Sequence, residues 1–431
     1  MIQDEEVKKK NKLKDKWIKI IIMGVIIIIA SIAGVLYKFA DLYQKKSYVE
    51  ESEQIPQQKA PDEYLGIIKM EREPDPEYAE VDGITNVLLI GIDARDPQKN
   101  SRADTIMILT IDSIHKKLKL SSIMRDTYLP IPKHGEQKIN SSFYYGEAPL
   151  LMKTIEQNYK VKLEKYAIID FSAFIQLVDI IGGLDIDVKD YMLEDLNNCI
   201  GGIGNKDSVY LEKEGVQHLT GEQVLGYARM RHIKGAGYGR TERQREVVSL
   251  LLNKVLDTSV LKFPKIAAEM LPYINTNVPL GDALNLAYTI YKINNYDVEK
   301  LQIPVNELSA GLTHPEKGWL LINDINQNAK VLNNFIFEDI AYNKSNVSYS
   351  RYKSYVAKYY NEVNELEEIA NAQAEALKEK EVLQKEENAV ETEVQLGEPI
   401  EQEPVLEQPI EQQSQGQLEN SSDEVETEQL Q

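Results

Sequence analysis

The chain has 431 residues, enough for one large domain or two ordinary ones, and a formal net charge of −20. The charge is uneven: fourteen acidic residues and no basic one follow Lys385, which leaves −6 for everything before. An acidic total argues against nucleic acid as a partner, while local arginine clusters still admit a small anionic ligand. The single cysteine, Cys199, excludes an internal disulfide; beside Gly201, Gly202 and Gly204 it is expected in a loop with no special role.

Residues 1–19 are basic, with Lys8, Lys9, Lys10, Lys12, Lys14, Lys16 and Lys19 ahead of an uncharged, isoleucine-rich run at 20–37. As a helix that run would be about 27 Å long, close to the thickness of a bilayer core. Trp17 and Tyr37 sit near its ends, where amphipathic rings prefer the interface. The expectation is one transmembrane helix, with residues 1–19 in the cytoplasm and the rest outside the cell membrane. A cleaved signal peptide, with Ala33 near the cut, is the competing reading; the apolar run is longer than a usual signal core. Residues 38–82 read as a polar stalk holding Pro56, Pro61, Pro74 and Pro76.

The folded part is expected over 83–353. Strands are predicted at 87–92, 105–111, 118–123, 166–169, 184–188 and 300–305, from apolar runs bounded by turn signals. Helices are predicted at 148–159, 171–181, 220–229, 241–257, 280–293 and 323–340. Two of them open with a capping-box pattern, Thr220 with Gln223 and Thr241 with Gln244. Strands interleaved with helices argue for an α/β fold, a layered α-β-α sandwich around a central mixed sheet. A charged, exposed helix follows at 354–385. The Glu/Gln-rich tail at 386–431, with its loose repeat at Pro399, Pro404 and Pro409, reads as disordered.

Three stretches carry chemistry. Asp93 follows the first buried strand, at the strand end where ligands of α/β sheets gather, and Asp104 opens the next strand. If those strands pair antiparallel, both carboxylates reach one edge. Mg²⁺ takes one or two carboxylates and completes its shell with water and phosphate. Turn capping is the plain alternative for the pair. Arg125-Asp126 follows the strand at 118–123. Its arginine can fork onto a phosphate or pair with its neighbour, and Lys138 offers a further point charge. The third stretch, 229–245, is the densest. In extended chain Arg229 and Arg231 share a face with Met230 turned inward. Arg240, Arg243 and Arg245 surround a helix start expected at Thr241. Cations there oppose the helix dipole unless an anion binds the free amides; the alternative is a solvated basic helix start. Gln244 shares a face with Arg240, and Gly235, Gly237 and Gly239 suit a loop that a ligand approaches closely. The five histidines make no HxxxH or HExxH spacing, and no G-x-S-x-G or Walker-type loop is present, so zinc- and serine-hydrolase readings fall away.

The succession NVLLIGIDARD, SRADTIMILTID, LSSIMRDTYLPIP, KINSSFYYG and HLTGEQVLGYARMRH with GYGRTERQREVV, in order over 83–260, resembles the LytR-CpsA-Psr family. The resemblance implies a ligase that moves a glycopolymer from an undecaprenyl pyrophosphate carrier to peptidoglycan, with the 6-hydroxyl of N-acetylmuramic acid as the usual acceptor. It implies Mg²⁺ (or Mn²⁺) on Asp93 and Asp104; independently of the resemblance, a carboxylate such as Asp104 is a candidate for accepting the hydroxyl proton, with the base left open. It places pyrophosphate on Arg125, Arg229, Arg231 and Arg240, with Gln244 beside them, and a lipid pocket lined from 171–181 and 247–256. Met124, Gly237 and Ala103 depart from the family's usual proline, acidic residue and serine. A polyprenyl pyrophosphate hydrolase and a non-enzymatic wall sensor are the rival functions.

Overall fold

In the computed structural model the described residues are 79–93, 101–231, 236–258, 263–293, 295 and 297–396, with four single positions between 38 and 44. The expected membrane helix at 20–37 and nearly all of the stalk lie outside them; among the described residues no helix is long and apolar enough to cross a membrane.

In chain order the elements begin with strands β1 (Ile84–Ile92), β2 (Ala103–Asp112), β3 (Lys117–Ile123), β4 (Tyr128–Ile131) and β5 (Gly135–Lys138). Helix α1 (Asn140–Tyr159), β6 (Lys165–Asp170), α2 (Phe171–Ile180), β7 (Leu184–Val188) and α3 (Leu193–Gly201) follow. Next come β8 (Gly215–Leu219), α4 (Gly221–Arg229), α5 (Ala236–Leu256), α6 (Phe263–Met270) and β9 (Asn275–Thr276). The last are α7 (Leu280–Ile293), β10 (Val298–Ile303), β11 (Ser309–His314), β12 (Gly318–Asn323), α8 (Ile325–Phe337) and α9 (Tyr349–Leu396).

Six strands form one mixed sheet in the order β10-β3-β2-β1-β6-β9. β2 runs antiparallel to both β1 and β3, while β1–β6 and β3–β10 are parallel. Strand periodicity divides the core between the two faces. Leu88, Ile106 and Ile108 pack with Leu151 and Ile155 of α1, Leu332 and Ile336 of α8 and Tyr352 of α9. Met107, Leu109 and Leu120 meet Val248 and Leu252 of α5 and Leu286 and Ile290 of α7 on the other face. The result is the expected mixed sheet between helical layers. A third cluster joins β7 and β8 to α2, α3 and α4 through Leu184, Ile186, Leu196, Ile200 and Val224.

Residues 1–367 make one compact unit and 368–431 a second. The domain edge expected at residue 353 falls inside α9, whose Tyr352, Val356, Tyr359 and Val363 are all buried, so the fold takes in four more helical turns. From Glu368 to Lys385 the side chains are exposed. The same helix continues to Leu396, past the start of the tail expected to be disordered; 397–431 lie outside the described residues.

One buried ion cluster ties the face opposite α5. Lys119, fully buried in β3, donates to Asp112 Oδ2 at 2.8 Å and to the Ile336 carbonyl at 3.2 Å. Asp112 also accepts from the backbone of Ile114 and His115. Burial alone would raise the Asp112 pKa, but these hydrogen bonds outweigh it and hold the carboxyl below its usual value.

Candidate functional site

A cavity of about 530 Å³ lies between the sheet and helices α2, α3, α4 and α5. Its wall follows from alternation along the strands: Leu89 and Gly91 of β1, Thr105 and Met107 of β2, and Ala167 and Ile169 of β6 share one face. Phe171, Phe174 and Leu177 of α2 close one side, and Val247, Val248 and Leu251 of α5 another. These are the two helices from which a lipid pocket was expected. Gly91 is fixed by space, because a Cβ there would lie 2.9 Å from the Thr105 Cβ. Gly221 is fixed likewise: a Cβ would meet the Ile175 carbonyl oxygen at 2.2 Å, so α4 starts directly against the backbone of α2.

The cavity turns polar at one end. Asp93 continues the Leu89–Gly91 alternation onto the cavity face. Asp104 arrives by another route. Gly91 pairs with Thr105 but Ile92 pairs with Ala103, so Asp104 is the extra residue of a β-bulge. Such a bulge re-aims a side chain beside a site. It lets Ala103 and Ile106 both enter the far core while Asp104 reaches the cavity mouth. Asp170 ends β6 and caps α2, its Oδ1 accepting from the Ala173 amide at 2.7 Å.

Three arginines face these carboxylates. Arg229, the last residue of α4, stands 5.1 Å over the Phe171 ring. Met230 leaves the helix in extended geometry (φ −50°, ψ 138°) and is fully buried, which turns Arg231 back to the mouth as its sequence spacing predicts. The Arg231 amide donates to Asp195 Oδ2 at 2.9 Å. Arg240 and Gln244 come from one stripe of α5, four residues apart, with Val247, Val248 and Leu251 below them.

The structure departs from expectation in several places. α5 begins at Ala236, so Thr241 lies in its second turn rather than at its N-terminus. The proposed anion site on free amides at Thr241 therefore falls. Gly237 and Gly239 are helical rather than part of a loop, and Gly235 lies outside the described residues. Arg243 turns inward, where Nε donates to the Tyr227 carbonyl at 3.2 Å and a terminal nitrogen to the Met230 carbonyl, holding the end of α4. Arg245 bonds Ser122 and Gln302 and is equally structural. Lys138 is drawn to Asp126 at 3.3 Å, away from the cavity wall. Arg125 does not line the wall either; it reaches the mouth through an ion pair with Asp104, and its Nε lies 3.4 Å from Asp126.

Charge is strained at the mouth. Arg240 is 8% exposed, and its Nε has no hydrogen-bond partner among the described residues. Burial, with repulsion from Arg125 and Arg231, pushes its pKa down to about 10. Burial would also lower Arg125, but Asp104 and Asp126 outweigh it and raise that pKa. Cys199 lies in α3, not in a loop, and lines the cavity beside Asn198. Burial and then Asp195 push its thiol up, the environment of an unreactive wall residue. Sequence reasoning missed Asp170 and Asn198. Asp170 was legible, because it stands alone between a predicted strand and a predicted helix, the place of an N-cap.

The LytR_cpsA_psr family model matches residues 37–333, well over half the chain. The chain belongs to the LytR-CpsA-Psr family. Among similar LytR-CpsA-Psr relatives, the "Regulatory protein MsrR" of Staphylococcus aureus (strain COL) is 33% identical over 261 residues, 60% of this chain and 76% of that one. The polyisoprenyl-teichoic acid–peptidoglycan teichoic acid transferase TagU of Enterococcus faecalis (strain ATCC 700802 / V583) is 32% identical over 207 residues, 47% and 64% of the two chains. The crystal structure of protein gbs0355 from Streptococcus agalactiae superposes with a TM-score of 0.52 at 22% identity, covering 61% of this chain and 90% of that one, and shows the shared fold.

Proposed function

We propose that this chain is a membrane-anchored transferase acting outside the cell. Its donor is a glycopolymer carried on undecaprenyl pyrophosphate, and its acceptor is the N-acetylmuramic acid of peptidoglycan. One observation carries the reading: an apolar cavity of about 530 Å³ ends in a mouth where Arg229, Arg231 and Arg240 meet Asp93 and Asp104. An apolar tube with a cationic mouth is complementary to a lipid bearing a pyrophosphate. The relative TagU, by its name, joins a polyisoprenyl-linked teichoic acid to peptidoglycan, which supports a donor and acceptor of this kind.

Asp93 and Asp104 supply hard carboxylate oxygens, the donor type that Mg²⁺ or Mn²⁺ takes, and the buried Arg240 Nε lacks the acceptor an anion would bring. Bound there, the ion would neutralise pyrophosphate charge. The chain's own groups do the rest. Arg229, Arg231 and Arg240 hold the phosphate oxygens and stabilise the charge on the departing lipid phosphate. Arg125 is positioned to share its charge between Asp104 and an incoming phosphate oxygen. In the transfer the acceptor's 6-oxygen bonds to the phosphorus next to the glycan, and the bond from that phosphorus to the bridging oxygen breaks. Polyprenyl phosphate leaves with the bond electrons, and the hydroxyl proton passes to a mouth carboxylate, for which Asp104 is the candidate.

The test incubates the full-length chain in detergent with a synthetic polyprenyl-pyrophosphate saccharide, Mg²⁺ and nascent peptidoglycan, followed by mass spectrometry. A phosphodiester-linked adduct is expected, lost in Asp93→Ala and cut by orders of magnitude in Arg231→Ala, with both variants folded. Free saccharide phosphate alone would replace the reading with hydrolysis. Lipid binding without turnover would replace it with a non-enzymatic sensor; the relative MsrR is named a regulatory protein.

A further inference from the structure

One buried carboxylate stands behind the mouth rather than in it. Asp195, in the first turn of α3, is 8% exposed, whereas its neighbour Glu194 is exposed. Asp195 does not line the cavity, although Asn198 and Cys199, one turn further along the same helix, do. A carboxylate in a first turn complements the helix dipole from the surface, so the dipole does not require its burial. Packing does. Leu196 and Ile200 press on α4 at Gly226, where a Cβ would lie 2.7 Å from Ile200 Cγ1. That close approach brings Asp195 beside the backbone just past the end of α4.

There Asp195 holds one side of a single peptide unit. The Arg231 amide donates to Asp195 Oδ2 at 2.9 Å. The carbonyl of the same unit, that of Met230, accepts from a terminal nitrogen of Arg243. In a planar trans peptide these two groups point opposite ways, so an anion on one side and a cation on the other fix the plane. Arg243 is itself tied to α4, because its Nε donates to the Tyr227 carbonyl at 3.2 Å. Burial lowers the Arg243 pKa, and Tyr227 and then Asp195 act against that shift, so the two sides of the clamp support each other. The clamped peptide joins fully buried Met230 to Arg231, which lines the mouth.

We propose that Asp195 is a positioning residue for the pyrophosphate, acting through the Met230–Arg231 peptide to set where the Arg231 guanidinium stands. This rests on the transferase reading above. Charge and geometry pull in opposite directions at this residue. A carboxylate close to a cationic mouth repels a bound anion, so by charge alone its removal tightens pyrophosphate binding. Without the clamp, Arg231 is free to leave the place where a phosphate oxygen needs it, and binding weakens.

The experiment measures inorganic pyrophosphate binding to the full-length chain in detergent by calorimetry, comparing Asp195→Asn with Asp195→Leu. Both variants lose the charge and keep a similar size, but only asparagine keeps an oxygen for the Arg231 amide. Asp195→Asn should bind at least as tightly as the parent, and Asp195→Leu about tenfold more weakly than Asp195→Asn. Asp195→Ala is a second acceptor-free variant, free of overpacking, and should weaken binding likewise. In an Arg231→Ala background the difference between the asparagine and acceptor-free variants should vanish, because the clamp then has no guanidinium to aim. Equal affinities for Asp195→Asn and the acceptor-free variants, or a difference that persists in Arg231→Ala, overturns the clamp and leaves the donor site standing. A parent that binds no pyrophosphate overturns both. The transfer assay reports separately: the expected pattern of affinities without turnover supports the clamp and sinks only the transferase.

Discussion

Replacing Arg240 with methionine should make the empty protein more stable and the site useless. Arg240 is 8% exposed, its Nε is unpartnered among the described residues, and its strongest neighbours after burial are the like charges of Arg125 and Arg231. At about 1.36 kcal/mol per pKa unit, displacement from the usual 12.5 to about 10 corresponds to roughly 3 kcal/mol of folding free energy lost to the charged form. The sign follows from proton counting. The folded pKa lies below the unfolded one, so the penalty is present in full below about pH 10 and is relieved only as pH rises through and beyond that value. At pH 7 an unbranched apolar side chain removes it. The urea midpoint of Arg240→Met should rise by on the order of 0.5–1 M if about half or more of that energy is recovered. Inorganic pyrophosphate at a hundred times its Kd should stabilise the parent by about 2.7 kcal/mol, and the variant far less. A lower midpoint for the variant, or pyrophosphate stabilisation equal to the parent's, would refute the view that this guanidinium is held for an anion.

Two other perturbations separate fold from site. Lys119→Met should cost on the order of 3 kcal/mol in a urea melt at pH 7, because buried Asp112 loses its lysine partner and keeps only the part-exposed His115 ring, 2.8 Å away, and backbone amides. In the parent the depressed Asp112 pKa contributes stability that is present above the unfolded carboxyl pKa and is lost as pH falls through the lower folded value. Melts at pH 7 and pH 3 should show that loss, and an acid-insensitive parent would contradict it. Ala167→Phe projects a ring into the cavity from β6 and should leave the fold intact. Displacing about three buried methylenes of a bound tail costs roughly 2.4 kcal/mol, close to fiftyfold in polyprenyl phosphate affinity, while inorganic pyrophosphate should bind as before.

The sheet was largely readable because its strands are apolar runs that alternate in register, as in 87–92 and 118–123. The capping box at Thr220 and Gln223 is present as predicted, yet the same pattern at Thr241 and Gln244 misled. A capping box needs a non-helical residue at its head, and the sequence cannot show that. Here the stripe of Arg240, Gln244, Val247 and Leu251 packs along the cavity. That packing extends the helix back through two glycines, each unfavourable by about 1 kcal/mol in isolation. α3 escaped notice because Asn197, Asn198 and the glycines after it read as loop, although Leu196 and Ile200 are spaced for one buried face. The hairpin of β4 and β5 escaped as well, and with it the pairing that takes Lys138 to Asp126.

The two parts of the site rest on different kinds of sequence information. The apolar wall is set by periodicity, since any strand at this place that alternates and any helix with this stripe would build it. It should tolerate swaps of similar volume. The mouth is set by departures from periodicity. Strict alternation from Met107 through Thr105 would send Asp104 to the far core with Ile106, and only the bulge opposite Gly91 and Ile92 brings it round to Arg125. Strict helical continuation past Arg229 would separate it from Arg231, and only the extended Met230 lets both face the cavity. Deleting one residue beside Asp104 would restore regular pairing and a sound sheet while removing the carboxylate from the mouth. The fold therefore does not enforce its own chemistry. A chain can keep every strand and the whole cavity and still lose the charge constellation, so function in such a chain has to be argued from the bulge, the helix end and the buried arginine rather than from the architecture around them.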